Sequence, residues 1–284
     1  MSHERVFVVL NPVAGTKKAD ALRATIVNHL SMAGWHYTLH ETRESQDVSA
    51  VVREAREDAT IVLAAGGDGT VSATASGLVG SDVPLGIVPS GTGNALARDM
   101  GIPLNPKQAL HLITGPHRKV PVDALRVDER HYFLNLSIGV TAAAMADTKR
   151  NEKQRLGLVA YLITGIQKLV GLQPAGFELT IDDAFRYVHA ADILVTNSGI
   201  IGISALEIAP DGAIDDGEVS VCIIRGKTLF DYISALANAL IGRPRNQRMR
   251  CIPACHKVSI EATRPLPVQA DGDPIGRERA EVHV

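Results

Sequence analysis

One stretch constrains the fold of this chain more than any other: Ala64-Ala65-Gly66-Gly67-Asp68-Gly69-Thr70. An apolar run from Thr60 to Ala65 enters it, and a helical pattern from Val71 to Leu78 leaves it. A Gly-rich turn between a buried strand and a helix belongs to an open α/β sheet, where ligands bind beyond the carboxyl ends of the strands. Glycine lets backbone come close to phosphate oxygens, and the helix N-terminus behind it offers unpaired N–H groups and a positive dipole end. A carboxylate there does not suit phosphate directly. The expected role of Asp68 is to bind Mg²⁺ or to position water on the metal; the alternative is a plain turn with an N-capping aspartate.

The flanking chain repeats the same pattern. Val6 to Leu10 reads as a buried parallel strand, followed by the turn Asn11 to Thr16 and a helix from Ala19 to Met32. Tyr37 to Leu39, Ile61 to Ala65 and Leu85 to Val88 are further strands, and Val48 to Ala55 a second helix. After the last of these strands comes Pro89-Ser90-Gly91-Thr92-Gly93-Asn94, again a Gly-rich turn that opens a helix. This alternation predicts a doubly wound parallel sheet with three ligand-facing turns on one edge.

Beyond Pro103 strands dominate: Lys119 to Val127, His131 to Ile138, Phe177 to Ile181, Tyr187 to Thr196, Val219 to Ile224, Lys257 to Ala262 and Pro267 to Ala270. Helical segments are expected only near Leu156 to Val170 and Leu229 to Ile241. The prediction is an α/β N-terminal nucleotide-binding domain, residues 1–125. An all-β, sandwich-like domain, residues 126–284, follows it. The last strand is a candidate to return to the first domain.

Composition narrows the function classes. With 45% hydrophobic residues the 284-residue chain can bury ordinary cores. A formal net charge of −2 argues against bulk nucleic-acid binding, and 4% aromatic residues leave few stacking platforms for single strands. No signal-peptide h-region follows Met1, and Leu156 to Leu172, interrupted by Gln167 and Lys168, is too polar to span a bilayer. Cys222, Cys251 and Cys255 make no disulfide framework, so free thiols in a reducing cytoplasm are expected. Lys17 and Lys18 can face phosphate or an anionic membrane, or simply solvent. The same two readings apply to the basic run Arg243 to Arg250.

Taken together, these stretches resemble the diacylglycerol kinase catalytic-domain family, which includes bacterial lipid kinases, sphingosine kinases and ceramide kinases. The resemblance is carried by Asn11-Pro12 with Gly15, Gly66 to Thr70, and Pro89 to Asn94. It extends to Val122-Asp123, Asn135 to Gly139, Ala209-Pro210, Asp215-Asp216-Gly217, and Asp271-Gly272-Asp273. It implies ATP-dependent phosphorylation of a lipid hydroxyl, with Mg²⁺. With neither signal nor spanning segment, the expected protein is cytoplasmic with peripheral membrane contact, and a homodimer is one candidate assembly. Nucleotide-contacting positions would be Asn11, Gly15, Thr42, Gly66, Gly67, Asp68, Gly69, Thr70, Val71, Ser72, Gly91, Thr92 and Asn94. Asp216, with backbone oxygens near Ala213 and Glu218, would hold a structural Mg²⁺. Asp147 matches an acidic headgroup position of the sphingosine kinases. Asp68 and Asp123 would organise Mg²⁺ on the phosphates, and Asp273 would accept the hydroxyl proton.

Two departures from the family pattern stand out. Asp273 occupies a position usually filled by glutamate, and Ala95 one often filled by aspartate. Two other readings remain open. One is an NAD kinase-like enzyme, which shares the Gly-Gly-Asp-Gly turn. The other is a non-catalytic nucleotide- or lipid-binding protein.

Overall fold

A computed structural model describes residues 4–12, 16–139, 142, 174–197, 214–226, 249–277 and 279–284. The chain divides into two compact units, Met1–Val120 and Pro121–Val284.

In the first unit the strands are β1 (Arg5–Leu10), β2 (His36–Glu41), β3 (Ile61–Gly66) and β4 (Leu85–Pro89). They form a parallel sheet in the order β2-β1-β3-β4. The helices are α1 (Thr16–Met32), α2 (Val48–Ala55), α3 (Asp68–Leu78), α4 (Ala95–Asp99) and α5 (Pro106–Thr114). Alternate strand residues feed two cores, as the two-residue period requires. Val6, Val8 and Leu10 pack with Leu22, Ile26 and Leu30 of α1 and with Leu110 and Ile113 of α5. Val9 and Val62 pack with Val52 of α2 and Leu78 of α3. Helices therefore cover both faces, and the doubly wound sheet is as predicted. Local signals set the helix starts: the Asp47 carboxylate accepts the Ala50 N–H at α2, and Asn105 caps α5, which opens with Pro106.

Helices α2 and α3 meet at Gly77. A Cβ there would lie 2.6 Å from Val52 Cβ and 2.7 Å from the Ser49 carbonyl oxygen, inside any normal contact. Because one neighbour is backbone, the helices must separate to admit a methyl group. Gly77→Ala should therefore lose about 1–3 kcal/mol despite its better helix propensity. Urea denaturation measures this; unchanged or raised stability would show that α2 shifts freely.

The second unit has two six-stranded antiparallel sheets. One is ordered β12 (Met249–Ala254), β11 (Val219–Ile224), β10 (Asp192–Thr196), β7 (Asn135–Gly139), β14 (Pro267–Ala270) and β15 (Asp273–Arg277). The other is ordered β6 (Arg130–Tyr132), β5 (Leu125–Val127), β16 (Arg279–His283), β13 (Lys257–Ala262), β8 (Ala175–Ile181) and β9 (Ala184–Ala190). Leu136, Ile138, Ile193, Val195, Val221 and Val268 of the first share a core with Phe177, Leu179, Val258, Ile260 and Val282 of the second. Two antiparallel sheets around one core make a sandwich.

Several expectations change at the level of elements. Helix α3 begins at Asp68, three residues before the apolar pattern at Val71, because Asp68, Gly69 and Thr70, which carry no apolar signal, form its first turn. The run from Lys119 is strand only from Leu125, since Pro121 and its neighbours do not join the ladder. The runs His131 to Ile138 and Tyr187 to Thr196 each contain two strands. Continuous apolar character hides the turns at Phe133-Leu134 and Ala191. The last strand, β16, pairs with β13 and β5 inside the second unit.

The cysteines require a correction. Cys222 and Cys251 form a disulfide, and only Cys255 is a free thiol. Their strands run antiparallel in a register that sets the two residues directly opposite, with Cα atoms 4.0 Å apart. Cross-strand pairing is invisible in sequence spacing, and no strand is expected from the sequence at β12. Disulfides form and persist in oxidising settings, so the cysteines supply no argument for a reducing compartment. Among the described residues no helix is long and apolar enough to cross a membrane. The helical segments expected near 156–170 and 229–241, and most of the basic run before Arg250, lie outside the described residues.

Candidate functional site

The register of the parallel sheet brings the strand ends together. Leu10 lies opposite Ala65 and Glu41, and Gly66 lies opposite Pro89. Three turns therefore emerge at one edge, and hydrogen bonds join them. Asn11 N–H donates to the Ala65 carbonyl at 3.0 Å, and Asn11 Nδ2 donates to Thr70 Oγ1 at 2.9 Å. Thr42 N–H donates to the Leu10 carbonyl at 2.9 Å, which places Thr42 beside Asn11. Ser90 N–H donates to the Gly66 carbonyl at 2.9 Å.

Asp68 ties the second turn to the third. Its Oδ2 accepts the Asn94 N–H at 2.9 Å and its Oδ1 the Ala95 N–H at 2.6 Å. The carboxylate thus caps helix α4 from a different helix. Asn94 adopts φ +52° and closes the turn on itself: Oδ1 accepts the Gly91 N–H, and Nδ2 donates to the Gly91 carbonyl. Arg98 Nε donates to the Gly93 carbonyl at 2.8 Å. Neither Asp68 as the link nor Arg98 as a brace follows from the motif. Only the approach of the two turns reveals them.

The glycines of these turns divide into two groups. A Cβ on Gly91 would sit 2.5 Å from Gly67 Cα, one on Gly93 2.4 Å from Asp68 Oδ2, and one on Gly66 2.5 Å from the Thr70 side chain. Gly91 meets backbone, whereas Gly93 and Gly66 make room for the side chains of Asp68 and Thr70. Gly69 is different: it is exposed, and a Cβ there would meet nothing within 4 Å. It lies in the first turn of α3 with open space before it, where a helix N-terminus favours an anion. Val71 is buried in the core and Ser72 half-buried behind that turn; Thr92 is exposed on the third. A cavity of about 550 Å³ beside the turns is lined by Asn11, Leu22, Gly91, Asn94, Leu104 and Lys107, among others.

The second unit gathers the later carboxylates. Asp271 and Gly272, with φ +49° and +90°, make the two-residue turn between β14 and β15, a conformation that hairpins favour. Asp271 accepts three backbone N–H groups, from Phe133, Leu134 and Asn135. That makes it the shaping residue of this turn. Asp273 begins β15 opposite Ala270 and is exposed, with Pro274 on the sheet's edge strand. Asp123 Oδ2 accepts the Gly217 N–H at 2.7 Å, and Asp216 Oδ1 accepts the Glu218 N–H at 2.9 Å. Asp123 is therefore tied to the loop that carries Asp216. Among the described residues no three His, Cys, Asp or Glu side chains come together as a metal-ligand set. Gly15, Asp147 and Ala213 lie outside the described residues.

Family comparison accounts for both halves of the chain. Residues 5–127 match the diacylglycerol kinase catalytic domain, and residues 135–284 match the YegS C-terminal NAD kinase beta sandwich-like domain. The chain belongs to the family of diacylglycerol kinases and YegS-like lipid kinases, and its first domain is that of a kinase. It is 28% identical over 276 residues to a diacylglycerol kinase of Bacillus subtilis (strain 168), covering 95% of this chain and 90% of that one. It is 30% identical over 279 residues to a protein of Pseudomonas fluorescens named as a probable YegS-like lipid kinase, covering 97% and 90%. A crystal structure of a diacylglycerol kinase from Bacillus anthracis str. Sterne shares the fold at a TM-score of 0.79 and 23% identity, covering 100% of this chain and 94% of that one.

Proposed function

We propose that this kinase transfers the γ-phosphate of ATP to the hydroxyl of a membrane lipid of the diacylglycerol class. The observation that carries the nucleotide half is Gly69, the glycine of the Gly66–Gly69 turn that stands before open space at the start of α3. Phosphate oxygens fit there against the helix N-terminus. Asn11, Thr42, Thr70 and the Gly91–Asn94 turn form the hydrogen-bonded surround. The lipid half rests on kinship with a diacylglycerol kinase and YegS-like lipid kinases along nearly the whole chain.

Phosphoryl transfer needs alignment, charge neutralisation and an acceptor for the hydroxyl proton. Asp273, exposed at the start of β15, is the proposed acceptor. The oxygen donors of Asp123 and Asp216 suit a hard cation, and Asp216 would hold Mg²⁺ with backbone oxygens near 213 and Glu218. When bound, Mg²⁺ supplies neutralisation of phosphate charge. Asp68 has both oxygens committed to backbone N–H groups, so its role is to position the third turn rather than to bind metal.

Gly69→Val tests the nucleotide half. A β-branched side chain fits the local space, so the thermal unfolding temperature should stay near that of the parent. It would occupy the approach to the helix N-terminus, so the KM for ATP should rise about tenfold or more with diacylglycerol vesicles as acceptor. An unchanged KM would place the phosphates elsewhere. Absence of lipid-dependent ATP turnover by the parent, across diacylglycerol, sphingosine and ceramide, would defeat the lipid half.

A further inference from the structure

The second unit contains a polar hub centred on the chain entering β7. The segment Phe133-Leu134-Asn135 gives its three N–H groups to the Asp271 carboxylate. The carbonyl of Asn135 accepts the Asp271 N–H, and the other two carbonyls are taken by Asn197. Asn197 N–H donates to the Leu134 carbonyl at 2.9 Å, and Asn197 Nδ2 donates to the Phe133 carbonyl at 3.2 Å. The same Nδ2 donates to the Asp123 carbonyl at 2.7 Å. Asp123 in turn donates its N–H to the Ile214 carbonyl and accepts the Gly217 N–H on its carboxylate.

Asn197 is 1% exposed. Its amide orientation is fixed, because reversing it would set the oxygen against two carbonyl oxygens. In this orientation Oδ1 is buried and has no hydrogen-bond partner among the described residues. An apolar residue in its place would lose the paired donation to Phe133 and Asp123.

We infer that Asn197 is a positioning residue for Asp123 and, through it, for the loop that carries Asp216 and Gly217. The inference rests on the lipid-kinase reading, in which Asp123 and Asp216 serve Mg²⁺. Asn197 Nδ2 fixes the backbone of Asp123, so the carboxylate reaches Gly217 from a set origin. Loss of the amide frees that origin while leaving the carboxylate itself in place.

The test is a double-mutant cycle of Asn197→Ala and Asp123→Asn, read on two observables. The first is turnover of diacylglycerol vesicles against Mg²⁺ concentration at saturating ATP. Asn197→Ala should lower kcat or raise the half-saturating Mg²⁺ by about 10- to 100-fold, the range for residues that orient a metal's ligands. The second is amide hydrogen exchange at Gly217, which needs no activity and should accelerate in Asn197→Ala. In both, the double variant should be no worse than Asp123→Asn alone. Losses that multiply, or Gly217 exchange that stays at the parent rate, would overturn the inference. If Asn197→Ala does not fold, Asn197→Asp keeps the shape and removes the NH₂ donor, and is read the same way. A parent that lacks lipid kinase activity would defeat the functional reading, while the exchange experiment would still decide the role of Asn197.

Discussion

Asp68→Ala is expected to cost about 100-fold in kcat/KM and about 2–3 kcal/mol of stability in the first unit. Both effects have one origin. The carboxylate accepts the Asn94 and Ala95 N–H groups, and bonds to a charged acceptor are worth about 1.5–3 kcal/mol each. Partial exposure of the site lets water recover some of that. Without the carboxylate, the N-terminus of α4 loses its cap and the Gly91–Asn94 turn loses its link to α3. A shift of about 1 Å in a group that positions substrate is enough for a 100-fold loss. Asp68→Asn should fall between, because one amide oxygen can still accept while its NH₂ faces a second N–H. The control is Mg²⁺. If Asp68 positions the turn, the half-saturating Mg²⁺ concentration stays at the parent value in both variants. A large rise in that concentration, with stability intact, would return Asp68 to the role of metal ligand.

Asp273→Asn should reduce turnover by about 10²- to 10⁴-fold and leave the KM for ATP unchanged, since only the proton acceptor is removed. The side chain is exposed and lies just past a rigid hairpin turn, so folding should survive the change. Asp271→Asn provides the contrast. That carboxylate takes three backbone N–H groups, so its replacement should appear first as lost stability of the sandwich. Asp273→Glu asks whether reach limits the reaction. The Asp271–Gly272 turn fixes the start of β15, so a longer side chain extends the carboxylate by about one bond without moving the backbone. Turnover equal to or above the parent is expected. Asp273→Asn working at the parent rate would exclude Asp273 as the base and direct attention to Asp123.

The sequence was most informative where one residue type had one physical reason. The buried parallel strands read as uninterrupted apolar runs, and β3 is buried at all six positions. The three turns were visible as glycine and proline at strand ends. What could not be read was any relation set by register or by approach of separate segments. Cys222 and Cys251 are 29 residues apart and meet only because β11 and β12 pair antiparallel. The link made by Asp68 was not legible because its two acceptor bonds come from residues 26 and 27 positions later. Asn197 carried no signal at all, since its importance lies in two carbonyls contributed by other segments. Helix α5 is only nine residues long and lies where strand-like runs begin to dominate, so its start signal, Asn105-Pro106, stands without a long helical pattern behind it.

The backbone contact between Gly67 and Gly91 has a consequence for anyone who wishes to move this site to another scaffold. A Cβ on Gly91 would come within 2.5 Å of its counterpart, and one on Gly67 within 3.2 Å, so each turn is the mould of the other. Grafting the Gly66–Thr70 turn alone onto a foreign sheet would leave Asp68 without the amides it holds and α3 without the surface that shapes its approach. The transferable part is the pair of adjacent parallel strands β3 and β4 with both turns and the first turns of α3 and α4. A library that varies one turn at a time will sample mostly broken sites; one that varies the two together explores shapes the fold can hold.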